Sequence, residues 1–178
     1  MPGFGSFSLG RRRVPDPVNA RSRRHGRDID TAAGAPPITI TTVPENHLIL
    51  VQSDAGEQQW TLTTARRHRD WLLTITTPDH MNWSAEGPDL FKALRELRRA
   101  LDPLGIRLGV NGARRDAWAS GMQCDMGEGR VVYLLAEGRA DRPEQVSTLG
   151  QTAVEHVGTL EEQDQHHARW LISRGTVS

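Results

Sequence analysis

One cysteine, one lysine and one tyrosine stand in a chain of 178 residues, and the shortages narrow what the protein can be. A lone Cys124 excludes an internal disulfide and fits a reducing compartment. No apolar run approaches the ~18 residues that a membrane-spanning helix needs. The N-terminal stretch has no apolar core of a secretory signal. The resulting expectation is a cytoplasmic protein with no membrane partner. Charge of one sign is missing too: 22 basic residues balance 22 acidic ones. The overall field therefore favours neither nucleic acid nor an acidic partner. Lys92 is the single lysine, which leaves 21 arginines. Codon usage of a GC-rich genome explains that excess more simply than selection for bidentate phosphate contacts. A hydrophobic share of 37% supports one modest core once a polar tail is set aside.

The tail is residues 1–36. It holds Gly3, Gly5, Gly10, Pro2, Pro15, Pro17 and Pro36, with seven arginines against three aspartates, a net +4. Such a segment buries too little surface to offset its ordering entropy, so a disordered N-terminal tail is expected. Phe4, Phe7 and Leu9, spaced by Gly and Ser, give it a possible docking peptide.

From Ile38 the pattern turns to β. The runs 38–43 and 47–51 flank Pro44-Glu45-Asn46, which reads as a turn. Runs 58–64, 71–76 and 81–85 follow, with apolar and polar residues alternating as in a sheet with one wet face. The spacing of Leu90, Phe91, Leu94, Leu97 and Leu101 predicts a helix over 88–101. Pro88 suits its first turn and Asp89 its positive end. Lys92, Arg95 and Arg99 form a basic outer face, with Arg98 at the edge of the apolar stripe. Asp102-Pro103 is the stop signal. A strand follows at Ile106, with Ile106, Leu108 and Val110 on one face. A further strand is expected near 145–149. A second helix spans about 160–174, opened by a Thr159/Glu162 capping box, with Leu160, His167, Trp170, Leu171 and Arg174 on one side. The domain over 37–178 is thus α+β: a mainly antiparallel sheet packed against two helices as a two-layer sandwich. Trp60, Leu73, Ile75, Leu94, Leu97, Leu108, Val132, Leu134 and Trp170 are the expected core.

Between the apolar runs 106–110 and 131–135 lies the segment 111–130, which reads as one connection far longer than the usual ~4–6 residues. Long structured connections are where function tends to sit. Its chemistry resolves to no catalytic signature. Met122, Cys124 and Met126 could offer soft ligands to Cu(I), but Met and Cys also fill irregular core gaps. Ser120 lacks the flanking glycines of a nucleophile elbow, since Trp118 and Met122 hold those places. Nothing beside Cys124 marks an activated thiolate. His166 and His167 are adjacent on a helix and diverge, and His68, His80 and His156 with Asp70 or Asp79 match no zinc spacing. Gly127-Glu128-Gly129 is too short for a phosphate loop and reads as a tight turn. Neither a metal nor another cofactor is expected.

Gly112-Ala113-Arg114-Arg115-Asp116, Ser120-Gly121-Met122, Met126-Gly127 and Val157-Gly158-Thr159 together look like a pattern in uncharacterised small α+β proteins of GC-rich actinobacteria. The resemblance covers roughly residues 70–174 and implies no activity or ligand. The functional expectation therefore rests on the residues. It is a non-enzymatic protein-interaction module, an accessory or immunity-like factor, that binds another protein through 111–130 and the tail. The candidate binding residues are Arg114, Arg115, Asp116, Trp118, Met122, Arg95 and Arg99. Within the segment, one of Arg115 and Asp116 should pin the chain to the body, and Trp118 should anchor it. The alternative is nucleic-acid binding or an enzyme site at the same segment. Arg66, Arg67, Arg114 and Arg115 could line a nucleic-acid path and Trp118 could stack on bases.

Overall fold

A computed structural model describes Ile40, residues 42–137 and residues 142–175. The expected tail, 1–36, lies outside them, as do the first three residues of Arg139-Ala140-Asp141-Arg142-Pro143, which reads from the sequence as a turn. The alternating segments form β1 (Glu45–Ser53), β2 (Gly56–Arg67), β3 (Asp70–Thr76), β4 (Asn82–Gly87) and a short β5 (Arg107–Leu108). They make an antiparallel sheet in the order β4-β3-β2-β1-β5. Its inward positions, Ile49, Val51, Trp60, Leu62, Leu73 and Ile75, are buried. This is the period of two written in the sequence.

The turn expected at Pro44-Glu45-Asn46 does not form. β2 runs long enough to give Glu45 and Asn46 partners at Thr64 and Thr63. Asn46 Oδ1 also accepts from the Thr63 hydroxyl at 2.8 Å. Pairing across the sheet outweighs the local turn preference of these residues.

Helix α1 (Leu90–Leu101) packs on β3 and β4. Asp89 is its cap: the carboxylate accepts from the Lys92 backbone N–H at 2.8 Å. Pro88 therefore precedes the helix instead of sitting in its first turn. Leu90, Leu94, Leu97 and Leu101 enter the main core, while Phe91 points into a second, smaller cluster with Ala117, Ala119 and Val132. Asp102 stays helical, φ −55° and ψ −42°, despite the following proline. The chain makes one 3₁₀ turn over Asp102–Leu104 and ends at Gly105, φ +70°. The Asp102 carboxylate is held there by Arg107 at 3.3 Å and by the Leu160 N–H at 2.7 Å.

Segment 111–130 is not one loop. It contains a 3₁₀ turn (Asn111–Ala113), β6 (Ala117–Trp118) and α2 (Gly121–Asp125). With β7 (Val131–Leu134) and β8 (Glu144–Ser147), β6 forms a second antiparallel sheet in the order β6-β7-β8. A two-residue strand leaves no period to read, which is why the sequence hides it. The turn at 127–129 is real, with φ +54° at Glu128 and +67° at Gly129. A Cβ on Gly129 would stand 2.6 Å from the Asp89 carboxylate, so this turn is clamped onto the start of α1.

Helix α3 (Leu160–Gly175) closes the described chain. Its capping box forms as expected: Thr159 N–H to Glu162 Oε2 at 2.7 Å, and Glu162 N–H to Thr159 Oγ1 at 3.0 Å. The fold is α+β and antiparallel, but the described residues form three α-helices where two were expected and two sheets where one was expected. The buried side of α3 also differs. Gln163 is fully buried and His166, His167 and Trp170 are half-buried, while Leu171 is 53% exposed.

That rotation follows from a polar hub. Arg98, expected at the rim of α1, is 1% exposed. Its guanidinium donates to Gln163 Oε1 at 2.9 Å and to the Gly158 carbonyl at 2.7 Å. Gln163 Nε2 in turn donates to the carbonyls of Gly112, Arg114 and Ala117 at 3.1, 2.8 and 3.0 Å. Of the expected core, Leu134 and Trp170 are only half-buried, because both line open clefts.

Gln163→Leu should cost about 3 kcal/mol in unfolding free energy, because it strands a buried guanidinium and three carbonyls. Urea denaturation followed by circular dichroism measures this. A loss below about 1 kcal/mol would show that the hub does not dock α3.

A candidate aromatic cleft beside residues 111–130

The hub fixes the backbone of 112–117, and the side chains of that stretch then find partners close by. Arg114 grips Asp116 bidentately, Nε–Oδ1 at 2.8 Å and Nη2–Oδ2 at 2.7 Å. Partial burial pushes the Asp116 carboxyl up, but the Arg114 guanidinium outweighs it and holds the pKa below its ordinary value. Arg115 is exposed and donates to the Glu155 carbonyl. Arg115, and not Asp116, is therefore the side chain that ties the segment to the chain beyond it, while Asp116 is spent on its neighbour.

Trp118 is half-buried on β6. Its ring stacks on His167 with centroids 3.9 Å apart and planes 9° apart, and meets Phe91 edge-on at 5.9 Å. The Arg95 guanidinium lies over it at 5.0 Å. Arg95 was expected on a basic outer face. It reaches instead across to α3, where it donates to Gln163 Oε1 at 2.9 Å and Asp164 Oδ1 at 2.7 Å. His167 continues the row to Trp170 at 6.3 Å, and Arg174 covers Trp170 at 5.3 Å. A guanidinium thus covers each end of the row Trp118–His167–Trp170, facing a ring's negative centre.

This row borders a cleft of about 480 Å³, walled also by Tyr133, Leu135 and Arg142. A smaller cavity of about 320 Å³, lined by Arg114, Asp116, Leu134 and Glu144, adjoins it and shares Arg142, Pro143 and Trp170. Of the residues singled out from sequence, Trp118 and Arg95 meet at the aromatic row, and Arg114 and Asp116 line the smaller cavity. Met122 is 72% exposed on α2, whose first residue, Gly121, lies on the rim. Arg115 borders neither cavity, and Arg99 is exposed and engaged with Glu96 on its own helix. Sequence reasoning missed Tyr133, Arg142, His167, Trp170 and Arg174 as site residues. The available signal is the spacing that puts His167, Trp170 and Arg174 on one side of α3, from which only Trp170 is singled out, as a core residue.

Burial pushes the Cys124 thiol up to about 11, so it stays protonated and unreactive at neutral pH. Among the described residues no three His, Cys, Asp or Glu side chains converge as a metal site. His68 and His80 occupy positive-φ turn positions, +58° and +66°. No helix of the described residues is long and apolar enough to cross a membrane. No family model matches the chain, and no curated protein matches it.

Burial lowers the His167 pKa from its ordinary value, with Arg95 and His166 acting in the same direction and Asp164 opposing them. A His depressed in the folded state is stabilising above its unfolded pKa, and that contribution fades as pH falls. The α3–β6 packing should therefore loosen as pH drops below about 6.5. Trp fluorescence and the His167 ring resonance, followed from pH 8 to 5, test this. A His167 pKa above that of an unfolded-chain histidine would contradict it.

Proposed function

We propose that the protein is a non-enzymatic protein-interaction module that binds another protein through segment 111–130 and the adjoining cleft. One observation carries the reading. Arg114, Arg115 and Asp116 are engaged within the fold, while two methionines of the segment are left to solvent. Arg114 and Asp116 satisfy each other, and Arg115 serves a backbone carbonyl. Met122 and Met126, on and just after α2, are 72% and 82% exposed. Exposed apolar side chains beside an apolar cleft are characteristic of protein-binding surfaces, and flexible methionine adapts to a partner's shape.

The pairing of the other arginines also weighs against a nucleic-acid path. Arg66 and Arg130 share Glu128, and Arg67 pairs with Glu86. Each phosphate contact there requires breaking an ion pair already made. An enzyme site needs groups of matched pKa converging on a cavity. The smaller cavity offers a carboxylate already neutralised by arginine.

Photo-crosslinking in the native host tests the proposal. A benzophenone amino acid in place of Met122 should yield a discrete protein adduct. The same group in place of exposed Glu57 should not. Trp118→Ala should abolish the adduct and weaken binding to the partner so identified by about 2 kcal/mol or more. Equal adducts from both positions, or adducts with nucleic acid alone, would refute the reading.

A further inference from the structure

We infer that the cleft between Trp118 and Trp170 seats an aromatic side chain of the partner protein, with acidic residues flanking it. This rests on the protein-interaction reading and names the chemistry of the segment recognised. The charge pattern is the first ground. Eight of the described arginines pair with carboxylates: Arg66, Arg67, Arg95, Arg99, Arg107, Arg114, Arg130 and Arg169. Among the described residues, Arg69, Arg98, Arg115, Arg142 and Arg174 pair with no carboxylate; Arg98 is buried on backbone and amide oxygens and Arg115 serves a backbone carbonyl, whereas Arg142 and Arg174 line this cleft. The Arg174 guanidinium lies over the Trp170 ring at 5.3 Å. A guanidinium stacked on a ring keeps its in-plane N–H groups free, and that edge takes a carboxylate bidentately.

The second ground is the wall between the two cations. Tyr133, Leu135, His167 and Trp170 form an apolar and aromatic surface. Its volume, about 480 Å³, falls in the range of clefts that hold small organic groups. An incoming ring gains edge-to-face or offset contact with Trp170 and Tyr133. The Tyr133 hydroxyl is held only loosely, at 3.5 Å from the amides of both Gln123 and Gln145. It is therefore free to turn toward a ligand's polar atom.

A polyanionic strand fits less well. Glu144 lines the adjoining cavity, where Arg114 is already engaged by Asp116, so a uniformly charged backbone meets an acidic group and no free arginine as it leaves the Arg142–Arg174 end. A peptide can place carboxylates at that end alone.

The probe is a fluorescein-labelled pentapeptide with central phenylalanine and two glutamates on each side, read by anisotropy on the full chain. It should bind saturably and be displaced by the unlabelled peptide. Exchanging the glutamates for lysines should abolish binding. The Arg142→Gln/Arg174→Gln variant should weaken binding by roughly tenfold or more. Both arginines are exposed, so this variant tests the site without testing the fold. Trp170→Ala should weaken binding similarly, and Trp83→Ala, in the other core, should not. Equal binding of acidic and basic peptides, no binding of either, or unchanged affinity in the double-glutamine variant would overturn the inference. Loss of peptide binding with the Met122 adduct retained would sink this inference and spare the interaction module. A twelve-residue oligothymidylate that binds the cleft, while the acidic peptide does not, would sink both.

Discussion

A buried guanidinium with an amide as its acceptor organises this fold. Arg98 is 1% exposed and has no carboxylate of the described residues within bonding distance. Burial lowers its pKa to about 10, with Asp102 opposing the shift, so it remains charged at neutral pH. The stranded charge is met by three oxygens: Gln163 Oε1 and the carbonyls of Gly158 and, at 3.5 Å, Gly112. Gln163 is fully buried and uses its whole amide. The oxygen accepts from Arg95 and Arg98, and the nitrogen reaches three carbonyls of 112–117. One side chain of α3 thereby positions α1 and the approach to β6 together. An apolar pair of similar volume could fill the same space, but it would leave those carbonyls unsatisfied. The hub therefore specifies a loop path as well as a packing.

The same chemistry explains an arginine-rich protein without a basic face. Arginine acts here as internal glue, because a planar cation can bond at its edge and stack on its face at once. Arg66 and Arg130 lie over Trp71 at 4.2 and 4.7 Å while both engage Glu128. This links the turn at 127–129 to β2 and β3. Arg95 lies over Trp118 and Phe91 at 5.0 and 5.9 Å while bonding α3. Compact lysine lacks the face that these sites use, so the lone Lys92 pairs only along its own helix, with Asp89.

What could be read from the sequence was what repeats. Strands β1 to β3 alternate over seven or more residues, and α1 carries five apolar side chains at helical spacing, so both announce themselves. The capping box of α3 was equally plain, since Thr159 and Glu162 act within one turn. The second sheet was not legible, because β6 has two residues and owes its form to β7. Arg98 read as an edge residue because its partner lies 65 positions away. Trp170 read as core because nothing local tells a ring that fills a core from one that walls a cleft. Within the candidate site, Trp118 and Met122 stood out by residue type. Arg142 and Arg174 matter because no carboxylate of the described residues pairs with them, and only the three-dimensional arrangement brings that out.

The position of the hub along α3 bears on how the cleft behaves. The capping box, the Asp102 carboxylate and Gln163 all act within the first turn of the helix. Beyond it, α3 is held by the His166 bond to the Leu135 carbonyl at 2.7 Å, by the ion pair of Arg169 with Glu137, which His166 Nδ1 approaches to 3.4 Å, and by ring stacking at His167 and Trp170. Exposed ion pairs contribute little. The distal half, which carries Trp170 and Arg174, is thus the weaker-held wall of the cleft. Rigid anchoring at one end with a lightly held wall at the other lets a bound ring tighten the cleft without disturbing the core. Local opening of this kind draws on the low-stability end of a fold, where binding surfaces are commonly found.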